Sequence, residues 1–282
     1  MSNITQYVIQ AELALAAYSD LSADMPFDAY KPALQRGGAG MSPAQATRFA
    51  RDWLVVEQYS DPLSGLSATV FEEVASGRRH LAVRGTEGLS DLFTDLIDIA
   101  LLGTPERQAQ YAALKDKLAE WLGNGTLAPG FSVSGHSLGG FLAGALLVDY
   151  PTEIGQAYLY NTPGVGGLSA ALRVLLNLDH EPSLDLSRVT NLRAEGGGAM
   201  ISGLGLAWGA PIPVTIEVGL NPIANHSIVT LTDALALYAA DAQLDPPASV
   251  ASLTDILKAS TNRNGDTLEP APDCERELKK AA

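Results

Sequence analysis

The 282-residue sequence predicts an α/β fold: a mostly parallel central sheet with helices on both faces. Three observations lead there. From residue 79 onward, short apolar runs of strand character alternate with longer runs of helical period, the pattern that builds a parallel sheet from βαβ units. Turn residues separate the runs, as in "DPLSG" and "SGRR", and Gly123 and Pro151 stand where helices should stop. Apolar residues make up 46% of the chain and charged residues 18%, which supplies a core and excludes a disordered chain.

The elements follow in order. Residues 3 to 18 place Ile4, Val8, Ala11, Leu15 and Tyr18 at helical spacing, and Asn3 with Gln6 resembles a capping box. "SPAQATRFARDW" predicts a second helix, with Ser42 as N-cap, Pro43 at the first helical position and Gln45 at the third. "WLVVEQYS" and "LSATVFEEVA" read as two strands that add an antiparallel edge, and "HLAVRGT" as a third strand. Two helical stretches come next, "LSDLFTDLIDIALL" and "PERQAQYAALKDKLAEWL". Then strand and helix alternate: "FSVSG", "LGGFLAGALLVDY", "QAYLYNTP", "LSAALRVLLN" and "RVTNLRAE". "GGGAMISGLGLAWGAPIP" fits neither period; "VTIEVGL" reads as a strand and "SIVTLTDALALYAADA" as the last helix. The prediction is one α/β domain over residues 1–259 and a polar tail over 260–282.

A net charge of −14 argues against nucleic acid and against capture by anionic membranes, both of which need a cationic surface. The single cysteine, Cys274, permits no intrachain disulfide and no thiolate cluster, and four widely spaced histidines form no metal motif. The first twenty residues lack a basic segment and an unbroken apolar core, and no run reaches the ~20 apolar residues of a membrane span. The expectation is a soluble protein, cytoplasmic or secreted without an N-terminal signal peptide, with no cofactor.

The chemistry gathers around "FSVSGHSLGGFLAGALL". Ser137 stands between Gly135 and Gly139, after an apolar strand and before an apolar helix. A nucleophilic serine on a sharp strand-to-helix turn needs small residues two before and two after it. The helix start also aims backbone N–H groups and a positive dipole end at the hydroxyl. Ser137 is therefore the candidate nucleophile; the plain alternative is an ordinary serine in a βα turn.

Such a serine needs a base, and histidine is the usual one. His136 adjoins Ser137 on a turn where consecutive side chains diverge, so it is expected to pack beneath the turn. His80 precedes the nucleophile. The order nucleophile, acid, histidine leaves His180 and His226, and His226, in a loop just before the last long helix, is preferred. The acid should lie between them near a strand end. Glu195 at the close of "VTNLRAE" is the choice, with Asp185 and Glu217 as alternatives.

With these residues in view, the chain resembles the class 3 lipases, a branch of the α/β-hydrolase superfamily, and their bacterial members in particular. The resemblance rests on "LAVRGTEGLSDLFTDL", "SGHSLGGFLAGAL", "YLYNTPGVGG" and "NHSI" and covers roughly residues 65 to 240. It implies an α/β-hydrolase fold, Ser137 as nucleophile, His226 as base, and an oxyanion hole made by Thr86 and the backbone N–H of Leu138. It also implies that the stretch after Thr86 is a lid that moves at an oil–water interface. The sequence departs from the family in one place: the aspartate expected just after the strand, in a D-x-V/I pattern, is missing, and Ala199 stands near it.

Asp91, Asp95 and Asp98 share one helical face and are either a calcium-binding cluster or, more simply, the solvated side of that lid. The region with Met200, Ile201, Leu204, Leu206 and Trp208 lines an acyl-chain pocket or packs on the core. The function expected is a serine carboxylic ester hydrolase acting on lipid-like esters. Phospholipase A1 chemistry with the same machinery and a non-catalytic hydrolase-fold binding module are the alternatives.

Overall fold

The computed structural model describes residues 3–36, 40–85, 105–164, 185–195, 207–217 and 222–244. Three helices come first: α1 (Asn3–Ala16), α2 (Phe27–Gln35) and α3 (Pro43–Asp52). β1 (Trp53–Asp61), β2 (Leu66–Glu73) and β3 (Arg79–Val83) follow, then α4 (Pro105–Gly123). The second half alternates β4 (Phe131–His136), α5 (Leu138–Asp149), β5 (Ile154–Tyr160), β6 (Val189–Glu195) and β7 (Ile212–Thr215). It closes with α6 (Pro222–His226) and α7 (Ile228–Leu244).

The seven strands form one sheet in sequence order. β1, β2 and β3 pair antiparallel, and β3 through β7 pair parallel, so the antiparallel edge and the parallel body fall where the sequence predicts them. Alternation along the strands divides the core into two layers. Val70, Leu81, Val83, Val133 and Leu159 face Tyr111, Leu114, Leu118 and Trp121 of α4 and the apolar side chains of α5. Their neighbours Phe71, Ala82 and Tyr160 turn the other way, onto α1, α3 and α7. A sheet covered on both faces must read as near-continuous apolar runs, and these strands do.

Local signals placed several boundaries. The Ser42 hydroxyl accepts from Gln45 N–H at 3.2 Å, and the Gln45 side chain accepts from Ser42 N–H at 3.0 Å, so the predicted capping box at α3 is formed. Asn3, by contrast, lies within α1 rather than ahead of it. α2 has no counterpart in the sequence prediction because Pro32 sits inside it. Burial of Tyr30 and Leu34 in the core overrides that local cost. The predicted helices over 89–102 and 168–177 and the tail lie outside the described residues.

Candidate active site

β4 and α5 meet at Ser137. Its φ of 55° and ψ of −125° lie where side-chain-bearing residues are rarely found, at a cost of about 1–3 kcal/mol. The turn is pinned from both sides: Ser137 N–H donates to the Tyr160 carbonyl at 2.9 Å, and Phe141 N–H donates to the Ser137 carbonyl at 3.1 Å. Gly135 and Gly139 make it possible. A β-carbon on Gly135 would run into the Gly139 backbone, and one on Gly139 would come within 2.8 Å of the Gly85 nitrogen and nearer still to the Val83 carbonyl. The small residues are needed because strand, turn and helix backbones touch here. The Ser137 side chain is buried, and its hydroxyl meets no hydrogen-bond partner among the described residues.

Ser137 leads directly into the first turn of α5, whose earliest N–H groups, that of Leu138 first, have no acceptor within the helix. Thr86, the other implied oxyanion donor, lies outside the described residues. So do the aspartates at 91, 95 and 98 and the apolar residues from 200 to 206. Trp208 is described, and it belongs to the core: it is fully buried, edge-on to Phe141 at 5.9 Å and against Gly144 of α5.

His226 is the last residue of α6, which corrects the expectation of a loop. The next residue, Ser227, stands just before α7 and its hydroxyl accepts from Val229 N–H at 3.2 Å, an N-cap bond. The His226 ring is buried, with its centroid 4.9 Å from that of His136. Burial first, and the neighbouring His136 second, push its pKa well below the ordinary histidine value, which favours the neutral ring. Neither ring nitrogen has a hydrogen-bond partner among the described residues, and the Ser137 hydroxyl has none either.

The carboxylates are a clear departure. Glu195 closes β6 and is exposed, and it makes no hydrogen bond to the His226 ring. The reason is strand alternation: Ala194 turns into the layer that holds Ile228 and Leu231 of α7, so Glu195 points away from it. Asp185 is engaged elsewhere, accepting from Ser187 N–H at 3.1 Å and pairing with Arg188 at 3.2 Å. Glu217 does not hydrogen-bond the ring either.

The other histidines are structural or lie elsewhere. His136 is buried, with Nδ1 at 2.9 Å from the Tyr18 hydroxyl and Nε2 at 2.8 Å from the His226 carbonyl. Asn161, the residue just after β5, donates to that same carbonyl at 2.9 Å. The signal for Asn161 was weak: an asparagine at a strand end can adopt a positive φ, here 46°, but its partner is 65 residues away. His80 lies at the other end of the sheet, and His180 is outside the described residues. Among the described residues no three His, Cys, Asp or Glu side chains gather as a metal would require, and no helix is long and apolar enough to cross a membrane.

No protein-family model and no curated protein matches the sequence. Solved structures do match. The fold is similar to that of the lipase Lip2 of Yarrowia lipolytica, with 17% identity, a TM-score of 0.50, and 80% of this chain and 83% of that chain covered. A nonglycosylated form of the same lipase gives 17% identity and a TM-score of 0.51 over 79% and 83%. The lipase of Rhizomucor miehei, solved as a propeptide complex, gives 14% identity and a TM-score of 0.50 over 76% of this chain and 70% of that one. At such identity the likeness speaks for the fold alone. Together with the parallel sheet and the turn at residue 137, it makes this an α/β-hydrolase fold.

Proposed function

We propose that the protein is a serine hydrolase that cleaves carboxylic esters with lipid-like acyl groups through an acyl-enzyme. Ser137 attacks the ester carbonyl, and His226 takes its proton. The tetrahedral oxyanion is received by the N–H of Leu138 and by Thr86, which stands three residues after the end of β3 in the sequence. The alcohol departs with the proton from His226, and water releases the acyl group by the same route in reverse. The observation that carries the reading is the backbone of Ser137: a serine in a rare, strained conformation, flanked by two glycines where a β-carbon would collide with backbone. Strain of that kind is retained where it aims a reactive group. The lipases named above lend support through their common fold, and the resemblance of the sequence motifs points the same way.

The test is labelling with a fluorophosphonate, read by mass spectrometry, beside hydrolysis of p-nitrophenyl butyrate. One adduct per chain on Ser137 and measurable turnover are expected; no adduct on a folded protein defeats the proposal. A second reading, a binding module that has kept the fold and lost the chemistry, draws on one observation: no carboxylate among the described residues hydrogen-bonds the His226 ring. It predicts no adduct.

A further inference from the structure

The carbonyl of His226 ends a five-residue helix, where no later N–H of that helix can reach it. Two buried side chains reach it instead, His136 through Nε2 at 2.8 Å and Asn161 through Nδ2 at 2.9 Å. The direction of each bond follows from its partner. A carbonyl only accepts, so the proton of the His136 ring is on Nε2. The neutral ring then offers Nδ1 as an acceptor, and the Tyr18 hydroxyl donates to it at 2.9 Å. Burial favours that neutral ring, with its pKa pushed down to about 4. Asn161 cannot be flipped, because its Oδ1 accepts from Ala194 N–H at 2.8 Å, which turns Nδ2 toward His226. Asn161 N–H in turn donates to the Leu192 carbonyl at 2.9 Å.

One backbone oxygen thus has two donors, each held in turn: His136 at the end of β4 is backed by Tyr18 just after α1, and Asn161 just after β5 is backed by Ala194 of β6. Serine hydrolases ordinarily aim the imidazole through the ring, with a carboxylate on the far nitrogen. Here the hold on residue 226 acts through its backbone, and the His136 ring packs against its ring at an interplanar angle of 46°. We propose that His136 and Asn161 are positioning residues for the base: a two-donor clamp that fixes the backbone of residue 226 and leaves its imidazole a narrow range of rotation beside Ser137. The proposal rests on the reading of His226 as the base. It gives the histidine of "GHSLGG" a task distinct from that of the serine beside it.

Four variants test the clamp. Asn161→Asp keeps the acceptor for Ala194 but sets a carboxylate against a carbonyl. His136→Leu removes the other donor, and His136→Gln restores a donor and an acceptor in similar places. The double variant His136→Leu/Asn161→Asp reports coupling. If the clamp orients the base, kcat for p-nitrophenyl butyrate falls by about 100-fold in Asn161→Asp and His136→Leu while KM holds. His136→Gln recovers most of the rate, and the double variant loses less than the product of the single losses. In ¹⁵N-histidine spectra the His226 ring signals should move or broaden in the two damaging variants. Unchanged kcat with unmoved His226 signals would overturn the proposal, whatever happens to the melting temperature. The spectra decide the clamp even if the wild type hydrolyses no ester, which would count against the hydrolase reading alone.

Discussion

Two serine–histidine groups lie at opposite ends of the same parallel strands, and they share residue types without sharing a character. At the start of β3, His80 is buried with both ring nitrogens engaged, Nδ1 at 2.7 Å from the Ser132 hydroxyl and Nε2 at 2.9 Å from that of Ser134. Both serines sit in extended strand, Ser132 opposite His80 and Ser134 opposite Ala82, and His80 and Ser132 border a cleft of about 800 Å³. At the far end of β4, Ser137 and His226 are just as buried, but the hydroxyl and both ring nitrogens are without partners among the described residues. A buried polar group that is satisfied stabilises the fold, whereas one left unsatisfied costs about 1–3 kcal/mol and persists only where something else requires it. The contrast teaches that burial and residue type do not distinguish a structural serine–histidine pair from a candidate catalytic one. Hydrogen-bond saturation and backbone strain do.

The sharpest way to break the contrast is to remove one hydroxyl at each end. Ser137→Ala should lower ester hydrolysis on the order of 10,000-fold and leave the melting temperature no lower than wild type, because a strained, unpartnered hydroxyl is all that is lost. A Ser137→Ala protein that turns over p-nitrophenyl butyrate at the wild-type rate would end the distinction. Gly139→Ala tests whether the strain is held by close packing. Its β-carbon meets backbone of β3 and of the residues after it that cannot give way, so a loss of about 3 kcal/mol in urea unfolding is expected, together with loss of activity. Ser132→Ala is the mirror experiment. It strips His80 Nδ1 of its partner and should cost about 1–3 kcal/mol of stability while the folded protein keeps its rate.

The most gradual effect is in pH. Burial pushes His80 down to about 3 and His136 down to about 4, so both stay neutral in the folded protein while the unfolded chain takes up protons below about 6.5. The unfolded state then binds more protons, so this stability is fully present above that value and is lost as pH falls toward 4. Each imidazole contributes a slope of up to about 1.4 kcal/mol per pH unit. Urea midpoints measured down this range should fall accordingly, and His80→Gln should flatten the slope by one proton. An unchanged slope would mean that His80 does not stay neutral.

Much of this molecule is legible in its sequence because the relevant signals are local. The alternation of runs, the capping box at Ser42 and Gln45, and the glycines at 135 and 139 all act over a few residues, where steric and hydrogen-bonding rules leave little choice. So the antiparallel edge, the parallel body, the sharp turn and its serine could be read directly. The position of His226 could be inferred only from chain order, and its place at the end of a short helix could not, since five residues make no periodic pattern. α2 was hidden by Pro32 and is held by long-range burial of Tyr30 and Leu34.

What the sequence determined by itself was the sheet, its two covered faces and the strained serine. Tertiary structure alone decided which polar groups meet. It turned Glu195 outward, gave Asp185 to Arg188, satisfied His80 with two serines, and brought His136 and Asn161 onto one carbonyl. The physical reason is range: backbone conformation follows from neighbours in the chain, but a hydrogen bond between residues 65 or 90 positions apart depends on how whole strands and helices stack.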